Sequence, residues 1–479
     1  MKTAGGKACQ RMFRAMMKED FMSVTLSYDD NQRLLLDGIA CDCGLTHQLP
    51  DRPIHVGRGL LARAGELISR YLPGTQAVLV ADDKTWPLAG REVCEQLRQR
   101  GFKVDVCLIR RDGEMLPDET ACGEVLLTMT DTTDFLISVG SGSLTDTTRI
   151  AAMRTGKPFA AVATAPSMDG YTSVVAPLLL RGSKIHRQAH SPDLILCDLD
   201  ILRQAPMEMI AGGVGDVLGK YIAITDWRIG QEINDEAFCP LCAEMVIAAV
   251  DRVTEHIDAI ISRSEAGIRL LTEALLLAGL TIMIIGHTRA VASVEHNIVH
   301  LWDMMQLARG RRQPPHGLAV GLSTLMIWPV YTLFAADNQL SFVDPDAVLA
   351  QRISHEQRAW QIMAAYGEEA GRMIIAENPD DFLTPDEQRR RIDRARERWP
   401  RLRDIIADLP PYETIINVQK KLQAPRLPQD LQIEPDQVSV SLRMGKDYRS
   451  RYSLFKLLDD CGLLETFLAT LPWAKPTVG

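Results

Sequence analysis

Three histidines and one aspartate in the second half of the chain are the side chains best placed to do chemistry. His296 and His300 stand four apart in SVEHNIVHLWD (293–303), so a helix presents both on one face. His316 follows two prolines in PPHGLAVGLS (314–323), at what reads as a helix start. Asp216 lies in GGVGDVLGKY (212–221), which reads as a glycine-rich turn entering a helix. A lone histidine is usually structural, and a helix-start carboxylate can simply complement the helix dipole. Together, Asp216, His296 and His316 give oxygen and nitrogen donors with a coordination position left open, which describes a catalytic metal site better than a structural one. That donor set suits several divalent ions, zinc, nickel and iron among them. Asn297 follows His296, so the motif is not HExxH and lacks the general base of a zinc protease.

Two forward motifs have the build of a dinucleotide site. In VGSGSLTDTTR (139–149) an apolar run ends at a glycine-rich turn and a helix follows, which aims backbone N–H groups at an anion. Gly140 and Gly142 let a pyrophosphate approach the backbone, although no glycine completes GxGxxG; a plain strand–helix turn is the alternative. TAPSMDGYTS (164–173) follows the run PFAAVATA and so falls at a carboxyl sheet edge, where open α/β sheets bind ligands. Asp82 and Asp83 end QAVLVADD (76–83), where a carboxylate could take the adenosine ribose and favour NADH over NADPH, or could cap the next helix. Two cations have the spacing to reach a phosphate: Lys220, four after Asp216, and Arg289, seven before His296 on a helix expected over 289–306.

The ten cysteines are scattered and read as reduced thiols of a cytoplasmic protein. CDCGLTH (41–47) brings Cys41, Cys43 and His47 together but lacks a fourth ligand, and FCPLC (238–242) is one CxxC without a second pair. Neither is read as a metal site.

These motifs need a scaffold. Strand-like runs alternate with helical stretches over 53–200, which argues for a parallel, doubly wound sheet. Helical periodicity takes over after Ile201, in 207–230, 241–262, 265–286, 289–306 and 317–335. The expected organisation is an N-terminal extension (1–35), an α/β dinucleotide-binding domain (36–202) and an all-α metal- and substrate-binding domain (203–479). A formal charge of −9 gives no footprint for nucleic acid, and a phosphorylated substrate would need local cations against that field. The basic run RRRIDRARERWPRLR (389–403) has acids interspersed and reads as a solvated helix face. The longest apolar run, 275–286, is too short to span a bilayer and reads as a buried helix. Residues 1–20 lack a signal-peptide core and read as a disordered lead-in.

In this order, the five motifs resemble the glycerol-1-phosphate dehydrogenase group of the iron-containing alcohol dehydrogenase and dehydroquinate synthase-like superfamily, from about CDCGLTH to RYSLFKLLDDCGLLE (451–465). YRSRYS (448–453) matches a late signature of the group. The resemblance implies a metal- and NAD(P)-dependent oxidoreductase interconverting dihydroxyacetone phosphate and sn-glycerol 1-phosphate, and a homo-oligomer. It assigns the cofactor to Gly140, Ser141, Gly142, Ser143, Asp146, Thr164, Ser167 and Ser173. It assigns one divalent metal to Asp216, His296 and His316, and substrate contact to Asp169, Asp216 and His300, with His300 a proton relay. The chain shows GSGS where the group has GGGS, ASVEH where it has SGAEH, and Val299 before His300. Those changes spare the ligands and bear on substrate choice. A dehydrogenase of an unphosphorylated polyol, or a nucleotide-binding paralogue without activity, are the alternatives.

Overall fold

Buried runs of Val, Ile, Leu and Ala build a six-stranded, all-parallel sheet. The structure, a computed structural model, describes residues 25–473 apart from 38–40, 42, 45–46, 48–50, 114 and 182; the expected lead-in of residues 1–20 lies outside the described residues. Strands β1 (Thr25–Tyr28) and β2 (Leu34–Asp37) pair as an antiparallel hairpin. The sheet comprises β3 (Ile54–Gly57), β4 (Gln76–Asp82), β5 (Lys103–Ile109), β6 (Phe135–Gly140), β7 (Phe159–Ala163) and, after a second hairpin, β10 (Leu194–Asp198). Their order is β3-β10-β7-β6-β4-β5. From β4 the chain winds outward to β5, and from β6 it winds the other way to β7 and β10. The β4/β6 crevice is thus the switch point, with Asp82 and Gly140 at its carboxyl rim. Helices α1 (Ala64–Tyr71), α2 (Arg91–Gln99), α3 (Glu119–Thr128) and α4 (Gly142–Thr155) connect these strands.

The second hairpin, β8 (Val175–Leu180) and β9 (Ser183–Gln188), is a sheet of its own that the sequence pattern did not announce. Its strands carry Lys184 and His186, two apart and so on one face.

The helical half contains α5 (Met207–Asn234), α6 (Pro240–Glu255), α7 (Glu265–Ile285), α8 (Val294–Ala308) and α9 (His316–Ala336), followed by shorter helices to Leu468. α7 and α9 are long and apolar enough to cross a bilayer by length and composition alone, so the apolar stretch is longer than the run 275–286 suggested. Their most apolar windows are 83% and 78% buried inside the protein, the position of core helices. In the basic run, Arg391, Arg394 and Arg401 pair with Asp460, Asp235 and Glu232.

Two expectations for this half are corrected. The helix expected over 289–306 is broken: Thr288–Ala290 forms one 3-10 turn and α8 starts only at Val294. Gly212, Gly213 and Gly215 do not form a turn before a helix; they lie inside α5, and Asp216 with them.

Candidate metal centre and cofactor edge

The buried glycines of α5 explain how the site is assembled. A Cβ on Gly215 would stand 2.3 Å from the Gly317 carbonyl oxygen, and one on Gly317 would stand 2.1 Å from the Gly212 carbonyl oxygen. α5 and α9 therefore cross backbone against backbone. Glycine inside a helix costs about 1 kcal/mol relative to alanine; here the close crossing needs it. The crossing sets the middle of α5, with Asp216, against the first turn of α9, with His316. α8 adds His296, and the ligating atoms of Asp216, His296 and His316 all lie within 4.8 Å of one another.

His296 Nε2 is 3.2 Å from Asp216 Oδ1, while its Nδ1 is 2.8 Å from Glu295 Oε1. Glu295 is itself buried and accepts the Ser293 N–H at 2.8 Å. A carboxylate on Nδ1 holds the proton there and leaves the Nε2 lone pair directed at the centre. Lys220 Nζ sits 2.8 Å from both Asp216 Oδ1 and Asp169 Oδ2, and the Asp169 N–H donates to Asp216 Oδ2 at 2.9 Å. Burial alone would raise the Asp216 carboxyl, but Lys220, His296 and His316 outweigh it and hold Asp216 below the carboxylate range. Burial and then the Asp216 charge push Asp169 upward. Lys220 is thus the counter-ion of this carboxylate pair.

Next to the triad is a second layer of rings. His300 is 5.9 Å from the His316 ring and 4.9 Å from that of His186, and Tyr448 stands 5.0 Å from His300. Tyr448 Oη is 3.2 Å from His186 Nδ1, Arg449 lies over the Tyr448 ring, and Lys184 Nζ pairs with Asp303 at 2.6 Å. Burial, then Lys184, hold both His300 and His316 well below the ordinary imidazole value; for His186 burial acts first, then Arg449 and Lys184. The Nδ1 atoms of His300 and His316 are buried and have no hydrogen-bond partner among the described residues. Buried polar atoms of this kind call for a ligand.

The loop after β7 joins this centre to the sheet edge. Tyr171 donates its hydroxyl to the carbonyls of Gly140, at 3.1 Å, and Ala165, at 2.9 Å. The Thr164 N–H donates to Gly140 O at 3.2 Å. Met168 covers Gly142, so that a Cβ there would stand 2.1 Å from its terminal methyl. Asp169, in the same loop, touches Asp216. The glycine turn at the switch point and the Asp–His–His cluster therefore face one another across residues 164–173.

Other residues expected at the cofactor are placed differently. Ser141 and Ser143 are half-buried at the start of α4, and Ser167 is half-buried in the loop. The Ser173 hydroxyl is bonded to the backbone of Val175 in both directions. Asp146 is buried against Arg149, which also donates to the carbonyls of Gly170 and Tyr171; burial raises the Asp146 carboxyl to about 7. It braces the loop from inside. Asp82 Oδ1 takes the N–H groups of Lys84 and Thr85 and the Thr85 hydroxyl, which is the capping role, and leaves Asp83 exposed.

Arg289 is the clear correction. It is buried outside α8, and its guanidinium is committed to Glu236 at 2.7 Å, the carbonyls of Asp226 and Tyr452 at 2.8 and 2.6 Å, and Ser293. The break before Val294 turns it away from the face it would have shared with His296. The cations that stand by the histidines are instead Lys184 and Arg449, which spacing arguments about helices passed over.

Residues 55–206 match the family of iron-containing alcohol dehydrogenases. The chain is similar to the glycerol-1-phosphate dehydrogenase (NAD(P)+) of Halalkalibacterium halodurans, with 37% identity over 66% of this chain and 80% of that one. Its similarity to the protein of the same name from Geobacillus stearothermophilus is 32% over 89% of this chain and 98% of that one. Among solved structures, the glycerol dehydrogenase of Schizosaccharomyces pombe superposes with a TM-score of 0.56 at 16% identity, covering 89% of this chain and 91% of that one. An iron-containing alcohol dehydrogenase from Thermotoga maritima does so with 0.56 at 13%, covering 89% and 100%. These two likenesses speak to the fold.

Proposed function

The chain belongs to the glycerol-1-phosphate dehydrogenase family, and on that premise we propose that it interconverts dihydroxyacetone phosphate and sn-glycerol 1-phosphate, using NAD(H) or NADP(H) and one divalent metal ion. The observation that carries the reading is the loop 164–173, which touches Gly140 and Gly142 on one side and Asp216 on the other. In this reading residues 36–202 bind the dinucleotide and residues 203–479 hold the metal and most of the substrate site, to which Asp169 and Lys184 of the first domain are added.

Asp216, His296 and His316 hold the metal. The donor set fits: one carboxylate, two imidazoles, one of them oriented by Glu295, and an unpartnered nitrogen on His316. The metal supplies Lewis acidity toward a ketone oxygen, and the dinucleotide supplies the hydride. The protein's own residues do the rest. The pyrophosphate meets the start of α4 after the turn Gly140–Gly142 once the Met168 side chain swings off Gly142, and Asp83 is the carboxylate left to face an adenosine ribose. Lys220 keeps Asp216 anionic and holds Asp169 beside it. His300, uncharged and with a free Nδ1, accepts the alcohol proton in the oxidative direction and returns it in reduction. Lys184 and Arg449 bind the phosphate by charge-assisted hydrogen bonds.

The two cations beside His300 and His186, Lys184 paired with Asp303 and Arg449 over the Tyr448 ring, support a phosphorylated substrate over a free polyol, which carries no charge for them to meet. The test is the oxidation of NADH and NADPH by the metal-loaded protein with dihydroxyacetone phosphate and with dihydroxyacetone. A large preference for the phosphorylated ketone is expected. Equal kcat/KM values for the two ketones would overturn the phosphate reading.

A further inference from the structure

We propose that Cys41, Cys43, His47 and Cys239 form a second metal site, structural in character and suited to zinc. The four residues offer ligating atoms that all lie within 4.8 Å of one another. Cys41 Sγ is 3.9 Å from Cys239 Sγ, Cys43 Sγ is 3.3 Å from His47 Nε2, and Cys239 Sγ is 3.4 Å from the same Nε2. A zinc ion with tetrahedral sulfur and imidazole ligands sets sulfur atoms about 3.8 Å apart and sulfur and nitrogen about 3.6 Å apart, from the usual Zn–S and Zn–N lengths. The three distances lie close to the edges of one such tetrahedron, and the remaining pairs are no more than 4.8 Å apart.

The fourth ligand that CDCGLTH lacks comes from the other half of the chain. Cys239 is 192 residues beyond His47 and caps the N-terminus of α6. There its sulfur accepts the Cys242 N–H at 3.4 Å, which anchors it at the start of a sixteen-residue helix. Gly44, directly after Cys43, has φ +81°, a left-handed conformation that glycine takes without strain. Each fragment supplies what the other lacked.

Four protein donors, three of them sulfur, fill a tetrahedron and leave no position for substrate. The site therefore fastens rather than reacts. It ties the segment after β2 to the start of α6. The β1–β2 hairpin already rests on α7, where the Tyr28 hydroxyl donates to Glu273 at 2.6 Å and Arg269 lies over the Tyr28 ring. The metal adds a clasp on the neighbouring helix, so the front of the chain is held to two helices of the second half.

The experiment uses the full chain, purified under reducing conditions without chelator. Elemental analysis of zinc-loaded protein should give two equivalents per chain, with Cys239→Ser and His316→Ala each losing a different one. Loading with cobalt(II) gives a readout independent of stoichiometry, because thiolate ligation produces a strong near-ultraviolet charge-transfer band. That band should be present in wild type and in His316→Ala and absent in Cys239→Ser. The wild-type and His316→Ala spectra decide the matter even if Cys239→Ser does not fold. A wild-type cobalt spectrum without the band, or a Cys41–Cys239 disulfide in the reduced preparation found by peptide mapping, would overturn the proposal.

Discussion

Two clusters of ligating side chains stand among the described residues, and they differ in number and in backing. Asp216, His296 and His316 are three oxygen and nitrogen donors from three helices, and each neighbour adds a polar group: Lys220 on Asp216, Glu295 on His296, His300 beside His316. Cys41, Cys43, His47 and Cys239 are four donors, mostly sulfur, from a loop and a helix start, with a backbone N–H behind Cys239. Three donors with hydrogen-bonded support leave room for a substrate and tune what happens there. Four donors close on their ion. The donor count and the surrounding polar groups, more than the presence of histidine or cysteine, separate a place for chemistry from a place for fastening.

Substitutions at either cluster should have separable effects. The largest effect belongs to Asp216→Ala, which removes a ligand and strands Lys220 without one of its two counter-charges. Metal assistance is worth several kcal/mol in the transition state, so turnover should fall by about 10³-fold or more. Steady-state kinetics on folded, metal-loaded protein checks it; turnover near that of wild type would remove Asp216 from the centre.

Lys184→Ala should lower kcat/KM for dihydroxyacetone phosphate by about 10- to 100-fold, because a charge-assisted hydrogen bond is worth roughly 1.5–3 kcal/mol. The unphosphorylated ketone should be little affected. Parallel losses with both ketones would mean that Lys184 supports Asp303 rather than a phosphate.

Glu295→Gln keeps the shape beside His296 and removes the charge. Such outer partners are worth about 10- to 100-fold in metal affinity or activity, and competition with a chelator measures the former. Unchanged metal affinity would show that Glu295 serves only the Ser293 turn. The smallest effect on catalysis belongs to Cys239→Ser. It shares no residue with the triad, so kcat/KM should stay within about twofold of wild type, while thermal unfolding moves to lower temperature.

How far the sequence revealed these two places depended on the range of the signal. The parallel strands were legible because runs such as QAVLVADD and TDFLISVG carry their burial in composition. His296, His300 and His316 were legible because helix spacing and a proline-marked start are local. Asp216 was found for a wrong local reason: its glycines read as a turn, whereas they serve a backbone crossing with α9 that only the tertiary structure shows. Arg289 failed because the helix assumed to carry it begins only at Val294, and Arg289 lies in a separate 3-10 turn before it. Lys184 and His186 lay on a hairpin whose strand β9, SKIHRQ, has the polarity of a loop. Cys239 could not be joined to CDCGLTH by any spacing rule, because the partners are 192 residues apart.

In the proposed mechanism Asp216, His296 and His316 hold the metal on which turnover depends. It is tested most directly by titrating metal-free wild type and His316→Ala with a divalent ion while recording bound metal and dihydroxyacetone phosphate reduction together. Wild type should gain activity in proportion to the filling of one equivalent, and His316→Ala should fail to bind that equivalent and stay inactive while remaining folded. Full metal and full turnover in His316→Ala would contradict the account.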